Sequence, residues 1–246
     1  MVLLTVSEVL NAVIMSFIVG FIFSDTLAQH LRGVSYHMHH LPGLQKQGFL
    51  TTLFSKQELL NIFYATLIVA PAIVFHELGH KFVAMAFGLY ATFNAAYPWL
   101  ALGVLLKLLN FGFIFFVPAY VSISGSAPPL ANALIAFAGP CVNALLYWIS
   151  SYLHEKVSKS IESSHGFGIH NGFETRFGKA VVIKFTARGF KKQSLKKLHD
   201  KVLIANALFL SKEINKFLCL FNLLPIPGFD GWHVITNLIL AVSKPL

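Results

Sequence analysis

The sequence predicts an all-α polytopic membrane protein with a small membrane-embedded β/re-entrant element. Three observations predict it. Of 246 residues, 56% are hydrophobic and only 12% charged, where a soluble domain has about 45–50% and about 25%. Phenylalanine alone occurs 24 times. The apolar residues are also gathered into runs of the length that crosses a bilayer, about 20 residues.

Residues 9–23 (VLNAVIMSFIVGFIF), extended by residues 2–6, form the first span. Glu8 precedes the run and no basic segment does, so it reads as a retained helix and not a cleaved signal peptide. Residues 59–88 form the second span and residues 129–153 the third. Residues 202–224 form a fourth, interrupted by Lys212, Glu213, Asn215 and Lys216. Residues 234–242 close the chain as a short, marginal helix.

The segment 97–121 decides the topology. It is apolar but broken by Lys107, Asn110, two glycines and Pro118. Its flanks, YATFNAAY and FIFFVPAYVSIS, are rich in β-branched and aromatic residues, which favour strands. LALGVLLKLL between them suits a short helix dipping into the bilayer. We therefore expect embedded strands and a re-entrant element there, not a span. Both polar loops, residues 25–58 and 154–201, would then lie on one side, as their shared basic character favours.

The expected organisation has four parts. Residues 1–58 are an N-terminal transmembrane helix and polar loop. Residues 59–153 and 202–246 form the two parts of a core. Residues 154–201 are a basic extramembrane loop, holding eleven of the nineteen Lys and Arg. Within that loop, KAVVIKFTARGF reads as β-like and KKQSLKKLHDKV as a basic amphipathic helix entering the next span. The net charge of +9 fits a loop beside a lipid surface, and no nucleic-acid motif accompanies it. Cys141 and Cys219 lie inside apolar spans, so no disulfide framework is indicated.

Polar groups stand out in such a chain. IVFHELGHKF, residues 73–82, puts His76, Glu77 and His80 in an apolar helix. Residues four apart share a helix face. H-E-x-x-H on a helix is the zinc metalloprotease pattern: two imidazoles hold the metal and the glutamate is general base to the attacking water. Catalytic zinc takes three protein ligands and leaves one position open. The third candidate is Asp230, in FNLLPIPGFDGW, where Pro225, Pro227, Gly228 and Gly231 break the helix. Glu213 and Glu174 are the other carboxylates weighed for that place.

Among weaker signals, His37, His39 and His40 form H-x-H-H in a loop, where solvated histidines are the ordinary case. His233 is placed to support Asp230 or to begin a helix. Lys212 and Lys216 share a helix face. Pro71 suggests a kink ahead of His76.

Taken together these motifs resemble the site-2 protease family, the intramembrane zinc metalloproteases. The family pattern is H-E-x-x-H on one membrane helix and N-x-x-P-x-P-x-x-D-G on a later one. This chain has HELGH at 76–80 and NLLPIPGFDG at 222–231, with Asn222, Pro225, Pro227, Asp230 and Gly231 in place. AGPCVN, residues 138–143, resembles the A-G-P-x-x-N of the intervening helix. The likeness covers residues 59–243.

The resemblance implies one Zn2+ held by His76, His80 and Asp230, with Glu77 as general base. It places Asn143 facing the site, on the substrate backbone or the oxyanion, where packing between helices is the plainer reading. It implies a transmembrane protein as substrate, a lipid bilayer as surroundings, and a multi-pass protein of the cell membrane with its active site inside the bilayer. A strand edge near the metal would receive the unwound substrate. The family's PDZ-type domain has no room in residues 154–201. The family also sets the metal near the cytosolic face, which puts this loop outside, whereas the positive-inside rule puts it inside. Two other readings are an inactive relative that binds membrane helices, and a membrane-anchored zincin with a glutamate ligand.

Overall fold

The computed structural model describes residues 3–31, 55–111, 117–165, 174–175, 178–179 and 192–243. Helix α1 spans Val6–Leu31. Thr5 and Glu8 open it with a reciprocal cap: Thr5 N donates to Glu8 Oε2 at 2.8 Å, and Glu8 N to Thr5 Oγ1 at 3.3 Å. Helix α2, Lys56–Ala86, begins at Ser55, whose hydroxyl accepts from Glu58 N at 3.1 Å. It runs through Pro71 as one 31-residue element carrying HELGH.

The segment 97–121 and its flanks form strand β1 (Tyr90–Ala95), helix α3 (Tyr97–Leu108) and strand β2 (Ala119–Ser124). The strands pair antiparallel from Tyr90↔Ser124 to Ala95↔Ala119, and Ala96 N donates to Pro118 O. The chain therefore leaves and returns at one place. Helix α3 has 12 residues, about 18 Å of helix against a hydrocarbon core of about 30 Å. The excursion re-enters, as its composition predicts. Of the expected second strand, residues 113–116 lie outside the described residues.

Helix α4 follows, Pro129–His165, then two short paired strands, Glu174–Thr175 and Gly178–Lys179. Helix α5 is Lys192–Asn222 and helix α6 is Asp230–Ser243. The β-like stretch 180–190 and His37, His39 and His40 lie outside the described residues. Among those described, α1, α2 and α4 are long and apolar enough to cross a membrane. The expected fourth span, α5, is an unbroken 31-residue helix but misses that standard. Lys212, Glu213 and Lys216 interrupt its apolar run.

Packing gives two layers of contact. Helix α1 lies along α2 and also touches β1 and α3. Helix α4 is central, packed on α2, α5 and α6. The main core joins α1, α2, β1 and α3 through Met15, Val19, Ile68, Val69, Phe93 and Leu100, with Leu203, Ala207, Leu210 and Ile214 of α5 packed against it. The outside is apolar as well: Leu10, Phe17, Phe63, Leu67, Trp148 and Tyr152 are all exposed. Such a surface belongs in hydrocarbon, since soluble monomers rarely expose large apolar patches.

Candidate metal centre

The site forms where α2, α4 and the start of α6 meet. Close approach of α2 and α4 needs glycine on both. A Cβ on Gly79 would come within 2.9 Å of the Val142 side chain. One on Gly139 would stand 2.3 Å from His80 Nε2 and 2.6 Å from His76 Nε2. Gly139 therefore leaves open the space in front of both imidazoles. Asp230 arrives as the first residue of α6, after a seven-residue connection from α5 broken by Pro225 and Pro227. Gly231 lets that turn fold tightly, since a Cβ there would lie 2.2 Å from Leu223 O.

His76, His80 and Asp230 offer one ligand atom each within 4.8 Å of one another. The two Nε2 atoms are 3.1 Å apart. Asp230 Oδ2 is 3.2 Å from His76 Nε2, and Oδ1 is 3.4 Å from His80 Nε2. Both histidines are buried.

Hydrogen bonds behind the rings fix what they present. His80 Nδ1 lies 2.7 Å from Ile135 O, a carbonyl that can only accept, so Nδ1 carries the proton. His76 Nδ1 lies 2.6 Å from Asn143 Oδ1. The Asn143 amide is oriented by its other end, where Nδ2 donates to Ala72 O and to Asn215 Oδ1, each at 2.9 Å. Asn215 Nδ2 in turn donates to Ser211 O at 2.8 Å. His76 Nδ1 is then also the donor. Both Nε2 atoms present lone pairs, and they present them to each other and to a carboxylate.

With both rings neutral, three acceptors converge with no proton between them, and Asp230 Oδ2 is buried without a hydrogen-bond partner among the described residues. In a low-dielectric site this arrangement is costly unless a cation completes it. Two imidazoles and a carboxylate suit zinc, and ring nitrogens pinned from behind are the usual support of its histidine ligands. The residues present therefore fit the metal.

Glu77, next to His76, is half-buried. Asn143 is fully buried, with its amide committed to His76, Ala72 and Asn215. Glu213 lies 3.8 Å from Lys212, away from the three-residue group. His233 is exposed. Sequence reasoning missed Asn215, which holds Asn143. Its signal was present, because two amides in apolar runs seek each other across helices.

The profile described as "Peptidase family M50" matches residues 64–246. The chain belongs to peptidase family M50. A protein of Methanocaldococcus jannaschii described as "Putative zinc metalloprotease" is similar to it, 31% identical over 176 residues, covering 71% of this chain and 70% of that protein. No solved structure matches the chain. Family M50 membership and the apolar helices together make this a membrane protein of a metalloprotease family.

Proposed function

We propose that the chain is a zinc endopeptidase that hydrolyses peptide bonds of transmembrane helices within the bilayer. One observation carries the reading: His76 Nε2, His80 Nε2 and Asp230 converge as bare acceptors beside Glu77, inside an apolar bundle. Zinc held there supplies Lewis acidity to the scissile carbonyl and to the attacking water. Glu77 takes the proton from that water and passes it to the leaving amine, so base and acid are one residue. Asn143 acts through His76: its Oδ1 holds the ring's tautomer and direction, and its Nδ2, already shared by two acceptors, is not free for substrate. Gly139 keeps the space before the imidazoles clear.

A helix hides its amides in its own hydrogen bonds, so a substrate must be unwound before it is cut. Strand addition to a sheet edge does this. Of the two hairpin strands, β1 has its outer edge covered by α1, where Glu8 Oε1 accepts from Phe93 N at 2.8 Å. β2 is the edge left for the substrate, and most of its residues are exposed. The chain would be a multi-pass protein of the cell membrane, organised as the four parts given by the sequence.

Zinc per chain tests the reading, with wild type beside Asp230→Ala in detergent. Wild type should carry about one zinc, and the variant should lose most of it. A variant that keeps its zinc removes Asp230 from the ligand set. A wild type that takes up none under metal-replete conditions ends the enzymatic reading.

A further inference from the structure

Beside the metal centre lies a second buried polar contact that the catalytic reading does not use. Glu8, in the first turn of α1, and Lys81, directly after His80, are each 2% exposed and form an ion pair. Around them the cleft is lined by Val9, Val13, Phe17, Leu78 and Phe93. Among the described residues, Glu8 is the one carboxylate paired with Lys81.

Glu8 is held with unusual completeness. Its Oε2 accepts from Thr5 N at 2.8 Å and Thr5 Oγ1 at 3.0 Å, so the carboxylate cannot swing. Its Oε1 accepts from both Lys81 Nζ and Phe93 N. One oxygen atom thus ties three elements together. Lys81 is one residue from a metal-binding imidazole, and Phe93 sits in β1 opposite Val121 of β2. A continuous chain of contacts runs His80, Lys81, Glu8, Phe93, Val121.

We propose that Glu8 is a positioning residue that fixes the spacing between the metal-binding helix and the strand hairpin. The proposal rests on the intramembrane protease reading for its consequence: a peptide strand added to β2 is presented to Glu77 at the distance that Glu8 sets. Charge balance alone would not require this geometry. An ion pair between α1 and α2 needs no backbone N–H from a third element.

The test separates position from charge. Spin labels at Phe82→Cys on α2 and Ile123→Cys on β2, both exposed, report the spacing by pulsed electron resonance, with Cys141→Ala and Cys219→Ala removing the native thiols. Glu8→Met/Lys81→Met removes both charges together, a change that buried pairs often tolerate, but leaves Phe93 N without its acceptor. Lys81→Gln removes the cation and keeps a donor for Oε1, leaving the Phe93 contact intact.

Zinc content should stay at the wild-type level in both. The double methionine variant should broaden or shift the label distance. It should also lower kcat/KM on a designed single-span peptide with a central Asn-Pro break by about a hundredfold, the scale of a one-ångström misplacement. The loss should lie in kcat, not KM. Lys81→Gln should keep the wild-type distance, and its kcat/KM should fall by no more than about tenfold, the scale of a single hydrogen bond. A wild-type distance in the double variant overturns the proposal. So does a label distance in Lys81→Gln displaced from wild type, an outcome read against wild type alone and therefore decisive even if the double variant fails to fold. If wild type leaves the peptide uncut while the distances respond as stated, the proteolytic reading fails and the spacing role stands.

Discussion

Besides the Lys81–Glu8 pair, helix α2 carries two further buried polar centres, and they differ in kind. Near its N-terminus, Lys107 of α3 donates to Phe21 O and to Ser24 Oγ, the latter at 2.6 Å, and lies 3.9 Å from Glu58 Oε1. Ser24 Oγ also donates to Glu58 Oε1 at 2.7 Å. Donors meet acceptors there, and Lys107 also lies 3.4 Å from the exposed Asp25 Oδ2. At His76 and His80, five turns further along the same helix, three acceptors meet with no donor between them when the rings are neutral. The first centre is complete within the protein and the second is not. In a medium without water to repair a mismatch, completeness marks structure and incompleteness marks a place for something to bind.

The comparison can be broken at several points. The largest effect should come from Glu77→Gln, which leaves the three acceptors in place. Zinc content should stay near wild type while kcat falls by about 10²–10⁴, the usual worth of a general base. Zinc loss in that variant would mean Glu77 serves the metal and not the water. Next, Lys107→Met opens the complete centre and leaves Glu58 and Ser24 without their cation. Stability should fall by about 3–5 kcal/mol, as when one partner of a buried pair is removed. Detergent or denaturant titration measures it, and zinc affinity should not change. A changed affinity would show that the two centres communicate along α2.

Asn143→Leu tests the support behind His76. Zinc affinity should weaken about 10–100-fold, the range for losing such a hydrogen bond, with the helical signal in circular dichroism unchanged. Unaltered affinity would return Asn143 to ordinary helix packing. The smallest effect expected is for Gly139→Ala, about 1–3 kcal/mol from overpacking, and it should be read as stability with and without zinc. If the added methyl crowds the ligands as the geometry says, zinc should stabilise the variant less than wild type.

Much of this arrangement was legible in the sequence, because its signals are local. The four-residue interval of His76 and His80 states that they share a helix face. The prolines and glycines around Asp230 state that the backbone breaks there. The clustering of aromatic and β-branched residues on both sides of LALGVLLKLL announced the hairpin around α3. What stayed hidden depends on which helix meets which. Lys107 read as a flaw in an apolar run until α1 and α2 supplied its partners. Glu8 served only to argue against a signal peptide, although T-x-x-E at a helix start is a readable cap. No spacing rule joins Glu8 to Lys81 across 73 positions. Gly139 showed as a small residue, but its reason lies in imidazoles some sixty residues away, and only the crossing of α2 and α4 reveals it.

The seat of Asp230 has a mechanical consequence. An ion gripping His80 and Asp230 would close a noose of roughly 150 residues around α3, α4 and α5, much as a crosslink would. By loop-closure entropy such a knot restrains the unfolded chain by on the order of 4–5 kcal/mol. The knot's tail is α6, only 14 residues long and moored to α4. Drawing out the ion would slip the noose at that end first, so α6 is where unravelling begins.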